Sequence, residues 1–231
     1  YSTGGITTAS FAHNAVSTPD CTGTTSLGTS YVQEGNGTTV TFQAVPTLTN
    51  LTAINSNYGN TSFPAGTTFP ALTTLSKTQA GTLDFANSNL NLTGYTQTAG
   101  VVTGSGTITI PSGGTFNWGG GTLGGTGTLS TPVGATTNIT GATALANTRT
   151  WNNGGSVSMV MGGHNSYLDI ATGALLNNLS SGVIDLRSAT INTGFSGAGT
   201  INNAGELKKT LNTSVQEVFV SPVFSNQTNG I

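Results

Sequence analysis

The apolar residues of this chain fall in short alternating runs. Thr39-Val40-Thr41-Phe42, Gly106-Thr107-Ile108-Thr109-Ile110, Gly155-Ser156-Val157-Ser158-Met159-Val160 and Val183-Ile184-Asp185-Leu186-Arg187 put every second side chain on one face. A period of two over about four to six residues, bounded by Gly, Asn or Pro, predicts a half-buried β-strand. No window carries apolar positions at i, i+3, i+4 and i+7 with helix formers between them, so no helix is expected. The turns also lack the Asn-Gly rhythm of hairpins, which argues against an antiparallel meander.

A longer period lies over the short one. Gly104-Ser105-Gly106-Thr107-Ile108 returns as Gly125-Thr126-Gly127-Thr128-Leu129, 21 positions later, and again as Gly197-Ala198-Gly199-Thr200-Ile201. Gly114-Thr115-Phe116-Asn117-Trp118 aligns with Ala135-Thr136-Thr137-Asn138-Ile139 at the same offset. Asn152-Asn153, Asn177-Asn178 and Asn202-Asn203 stand 25 apart. A repeat of about 20–25 residues is one coil of a parallel β-solenoid, two or three short strands joined by tight turns. The fold class expected is all-β, with a donor-strand, pilin-type antiparallel β-sandwich as the structural alternative, because Val215-Gln216-Glu217-Val218-Phe219-Val220 could complement a neighbour.

Composition agrees with stacked coils. Of 231 residues only 12 are charged, with net charge -2, while Gly contributes 34 and Thr 45. Coils stack ~4.8 Å apart, so equivalent side chains lie over one another. Like charges at that spacing repel by ~1 kcal/mol even in water. Thr and Asn stacks avoid this and can hydrogen-bond along the column. Residues 85–148 contain no Asp, Glu, Lys or Arg. Five cations are too few for a nucleic-acid binder. The low net charge and the many β-branched residues argue against disorder. No apolar run is long enough for a membrane-spanning helix. Cys21 stands alone, so no internal disulfide forms.

Residues 1–30 show no repeat and are expected to form an N-terminal cap or an irregular segment. Residues 31–231 read as the solenoid, irregular to about residue 98, where Pro46, Pro64 and Pro70 mark corners, and regular from about residue 100 to 210. No polar cap follows the last apolar strand, so the rod is expected to continue in a longer parent chain. The start at Tyr1, without a basic and apolar leader, points to a removed signal peptide or an excised fragment. Poverty in Lys and Glu predicts an extracellular or cell-surface location. Asn-x-Ser/Thr sequons at Asn36, Asn50, Asn60, Asn91, Asn138, Asn178, Asn212 and Asn226 are as frequent as chance makes them in such a composition.

The run from Gly113 to Leu129 (GGTFNWGGGTLGGTGTL) and the run from Gly199 to Lys209 (GTINNAGELKK) resemble repeats of large bacterial surface and secreted β-helix proteins. The resemblance is to autotransporter-passenger-like and filamentous-haemagglutinin-like adhesins, over about half the chain. It implies a right-handed parallel β-helix displayed outside the cell. Such families share an architecture more than an activity, and the resemblance assigns no functional residue.

Candidate chemistry is sparse. Asp169, Asp185 and Glu206 are separated by 16 and 21 residues and could stack on one face of a solenoid, as in polysaccharide-cleaving β-helices. That reading requires them within about 5–9 Å of each other in a groove. Against it, the alternation in 183–187 turns Asp185 and Arg187 outward as a solvated pair, and Asp84 between Leu83 and Phe85 has the same character. His13 and His164 are isolated, so no metal site and no cofactor are expected. Trp118, Trp151, Tyr95 and Tyr167 are the candidates for stacking on sugar rings, and core packing is the competing role for each.

These observations favour a non-enzymatic extracellular β-solenoid, a rigid stalk or adhesin segment. Its expected partners are an extracellular glycan or cell surface, or further copies of itself in fibres. A polysaccharide-degrading enzyme is one alternative. An ice-binding or filament-forming subunit is another, but the Thr-x-Thr pairs at Thr39/Thr41, Thr47/Thr49, Thr107/Thr109 and Thr126/Thr128 do not recur at a multiple of one coil.

Overall fold

The computed structural model describes residues 6–13, 20–21, 25–160, 167–187, 193–210 and 218–227. Within them every paired strand runs parallel to its neighbours. Three sheets result, two of ten strands and one of seven, and the chain visits them in turn. This is a β-solenoid without a helix among the described residues, and the antiparallel sandwich is overturned.

One coil shows how the sequence builds it. Thr115–Trp118 lies in the first sheet, Gly121–Leu123 in the second and Thr128–Thr131 in the third. Strands of three or four residues suffice because each corner turns within a few residues. Gly113, Gly121 and Gly125 take positive φ at these bends, where a side chain would be strained. Phe116 pairs with Tyr95 below and Thr137 above, so the inward position of one coil lies over that of the next. The 21-residue repeat is this register: Asn138 Nδ2 donates to Asn117 Oδ1 at 2.9 Å. The 25-residue repeat is equally literal, since Asn177 pairs with Asn152 and Asn202 with Asn177.

The third sheet begins only at Leu90–Asn91. Below it the same side of the coil is irregular and carries Pro46, Pro64 and Pro70, which have no N–H to give a ladder. The ladders run on below residue 31. Ile6–His13 pairs in parallel with Thr25–Gln33, and Asp20–Cys21 with Thr39–Phe42, so the first two sheets continue below that point. Of the apolar tail, residues 218–220 form the last strand of the second sheet and residues 215–217 lie outside the described residues.

The core is a column of stacked side chains running along the axis. Tyr31, Ile54, Leu75, Tyr95, Phe116, Thr137, Val157 and Ile184 follow one another up the first sheet, all buried. The Tyr95 and Phe116 rings stack at 4.2 Å. Two of the five cations are also inside. Lys77 Nζ donates to the carbonyls of Asn57 (3.1 Å), Gln79 (2.6 Å) and Ala80 (3.0 Å). Arg149 Nε donates to Gly124 O (2.5 Å) and Nη2 to Gly104 O (2.7 Å). Each cation is held by carbonyls at the corners of the coil, and Gly104 O also accepts from the Gly127 N–H at 3.2 Å.

Burial pulls Lys77 down to about 8 from 10.5. Between those values the unfolded chain holds the extra proton, so stability rises with pH across that window. Below pH 8 the folded state carries the full cost of keeping an ammonium away from water. Burial lowers Arg149 to about 10, so it stays charged up to about pH 9 and adds to the rise only at the top of the window, and Tyr95 is pushed up by burial and stays neutral. The urea midpoint of the wild-type chain is therefore expected to climb from pH 7 to about pH 9.5. In Lys77→Met that climb disappears, and an unchanged slope would refute the assignment.

Candidate functional site

The three carboxylates do not converge. Asp169 is on the second sheet, while Asp185 and Glu206 are on the first. Asp185 is in register with Lys208, accepts hydrogen bonds from Thr210 Oγ1 at 2.9 and 2.8 Å, and lies 3.7 Å from Arg187 Nε. The outward Asp185–Arg187 pair is thus as the alternation predicts. Glu206 meets Lys208 Nζ at 2.9 Å. Asp84 Oδ1 accepts from the Ala86 N–H at 2.9 Å and serves its own turn. No group of three or more metal-ligating side chains occurs among the described residues. His164 lies outside them, and only the backbone of His13 is described.

Three of the four aromatic candidates belong to the core. Trp118 and Trp151 are 0% exposed and Tyr95 1%. Trp151 Nε1 donates to Thr131 Oγ1 at 2.9 Å and the Tyr95 hydroxyl to Gln97 Oε1 at 2.6 Å. Their faces are covered by neighbouring coils, so no sugar ring reaches them. The reason is register: each occupies an inward position of its strand.

Tyr167 is different. It sits half-buried just before the strand Leu168–Ile170, and its ring lies 5.6 Å from that of Phe219, tilted by 52°. The two rings come from either side of the strand Thr193–Ser196 in the second sheet, where Gly194, the register partner of Phe219, has no side chain to part them, and Phe219 is 48% exposed. Beside them runs an open groove of about 440 Å³, lined by Gly121, Thr122, Ala142, Thr143, Ala144, Tyr167, Asp169 and Ser196. Its origin is one outward column. Thr122, Ala144, Asp169 and Ser196 stand in register on consecutive strands. Small side chains at Gly121, Ala142 and Ala144 make the floor low, and the larger neighbours make the wall. Asp169 Oδ1 accepts from Ser196 Oγ at 3.0 Å, which fixes the carboxylate at one end.

The groove thus offers an aromatic face, a carboxylate acceptor and hydroxyls of Thr and Ser over a floor without charge. That set can stack on the apolar face of a pyranose and accept hydrogen bonds from its hydroxyls. Sequence reasoning finds Tyr167 and Asp169 but assigns them to separate roles. It misses Phe219, Thr122 and Ser196. The signal that joins Asp169 to Ser196 is an offset of 27 residues, beyond the 20–25 expected for a coil. No family model, curated protein or solved structure matches the chain.

Proposed function

We propose that this chain is an extracellular adhesive rod: a β-solenoid that holds a carbohydrate-binding groove on its side. The observation that carries this reading is the groove itself, with Tyr167 as wall, backed by the Phe219 ring, Asp169 and Ser196 as polar end, and Gly and Ala as floor. The parallel ladders on either side supply rigidity, since each coil is held by its neighbours across three sheets. The separation of Asp169 from Asp185 and Glu206 supports binding over cleavage, because hydrolysis uses a second carboxylate across the sugar. A surface poor in charge suits the role, since the rod then meets neutral glycans without repulsion or long-range steering.

A glycan array probed with the full chain tests this. Neutral hexose or N-acetylhexosamine oligosaccharides are the expected ligands. Tyr167→Ala and Asp169→Asn should each weaken binding by about tenfold, the loss that ~1.4 kcal/mol represents. Trp118→Phe, in the core, should leave the affinity unchanged. Binding that ignores both groove substitutions, or no glycan binding at all, would reduce the chain to a spacer.

A further inference from the structure

The third sheet presents a different surface. Its seven strands, Leu90–Asn91, Thr107–Thr109, Thr128–Thr131, Thr150–Asn153, Leu175–Asn178, Thr200–Asn203 and Val223–Asn226, contain no Asp, Glu, Lys or Arg. The other two sheets carry outward charge, at Asp185, Glu206 and Lys208 on the first and at Asp84 and Asp169 on the second. Two outward columns make up the face. Thr107, Thr128, Thr150, Leu175, Thr200 and Val223 form one. Asn91, Thr109, Ser130, Asn152, Asn177, Asn202 and Ser225 form the other.

The second column is ordered before anything touches it. Asn177 Nδ2 donates to Asn152 Oδ1 at 2.8 Å, and Asn202 Nδ2 to Asn177 Oδ1 at 3.0 Å. Each amide in the ladder keeps a second N–H and a second lone pair directed away from it. Side chains already held in one rotamer lose little freedom on burial. The face is therefore flat, uncharged and fixed, and it repeats every ~4.8 Å. A partner surface must share that spacing to stay in register over seven coils. A second copy of the chain carries that spacing on all three sheets, but only its third sheet brings no charge to bury, so the matching surface is another copy of the same face, and paired sheets with amide ladders form dry contacts of this kind.

We infer that the third sheet is a self-association surface, which two copies use face to face about a two-fold axis. The inference stands apart from the groove, which lies on the second sheet. Seven strands of up to four residues cover about 30 by 13 Å, so a pair buries on the order of 800 Å² in total, below the ~1,200 Å² of a stable complex. Association is accordingly weak and grows with concentration. It is also insensitive to salt, because no charge enters the contact.

Sedimentation velocity on the full chain, from about 10 μM to 1 mM, tests the inference over the range of weak, transient contacts. The wild type should shift from monomer toward dimer with the same dissociation constant in low and high salt. Asn152→Asp places a carboxylate in the middle of the face yet still accepts from Asn177, and should weaken dimerisation at least tenfold. Asn117→Asp is its match on the first sheet, still accepting from Asn138, and should change nothing. Equal urea midpoints show that both variants fold, and Ser130→Asp replaces Asn152→Asp should that variant fold poorly. A chain monomeric at 1 mM overturns the inference. So does association weakened equally by both substitutions, by neither, or replaced by adsorption of a monomer to an ordered polysaccharide or to ice.

Discussion

Asn178→Asp is expected to destabilise the fold by at least about 4 kcal/mol, while Asn177→Asp, one residue earlier, costs under about 1 kcal/mol. The two asparagines sit side by side in one strand and face opposite ways. Asn178 is 1% exposed. Its Nδ2 donates to Asn203 Oδ1 (2.7 Å), Glu206 O (3.1 Å) and Gly182 O (3.3 Å), and its Oδ1 accepts from Asn153 Nδ2 (2.8 Å). A carboxylate keeps only the last of these. It sets oxygen against three oxygens and brings a charge into the interior with no cation beside it. Asn177 loses one donated bond, to Asn152, and its new charge stays in contact with water. Urea unfolding at pH 7 measures both. The penalty at Asn178 should shrink at pH 4, where the buried carboxyl takes up a proton and can again donate one hydrogen bond. Equal losses at the two positions would mean that the inner ladder contributes nothing. The same burial removes Asn178 from the glycan acceptor sites, although Asn178-Leu179-Ser180 has the sequon pattern.

That contrast marks how far the sequence could be read. The pairs Asn152-Asn153, Asn177-Asn178 and Asn202-Asn203 announce stacking at a fixed interval, and the strands they predict are the third sheet. Alternation at Thr39–Phe42 and Val183–Leu186 likewise gave the correct inward faces, buried at Val40, Phe42, Ile184 and Leu186. The Thr-x-Thr pairs, whose offsets fit no single coil, share no register. Thr107 and Thr109 do stack, but on Thr128 and Ser130, whereas Thr126 belongs to the preceding corner. A repeated dipeptide reports a register only when it occupies the same point of the coil. The buried cations were illegible for a similar reason. Nothing around Lys77 or Arg149 distinguishes a surface side chain from one that folds inward onto corner carbonyls. The groove escaped notice because its column crosses coils of unequal length, so Ala144, Asp169 and Ser196 share no constant offset.

Gly127→Ala is the second substitution with a large expected effect, about 3 kcal/mol or more, above the usual range for an overpacked core because the obstruction is backbone. A Cβ at Gly127 would stand 2.0 Å from Gly106 O and 2.8 Å from Ser105 C. Gly106 has the same relation to Ser88 O below it, also at 2.0 Å. The two glycines form a short column at the entrance to the third sheet, where consecutive coils touch backbone to backbone. No rotamer relieves such a contact; the coils must separate. Thr128 N donates to Gly106 O at 3.3 Å and Thr150 N to Gly127 O at 3.1 Å, so separation also strains the ladder on both sides. Gly113→Ala is the control. Its Cβ would meet nothing within 4 Å, and only the positive φ of 79° opposes it, a cost of about 1 kcal/mol. Because each coil is held mainly by its neighbours, a fault at Gly127 should divide the rod rather than soften it evenly. Hydrogen exchange is expected to show amides of 105–110 and 126–131 losing protection before those of the first sheet in the same coils. A Gly127→Ala chain as stable as Gly113→Ala would mean that the coils do not approach so closely at this corner.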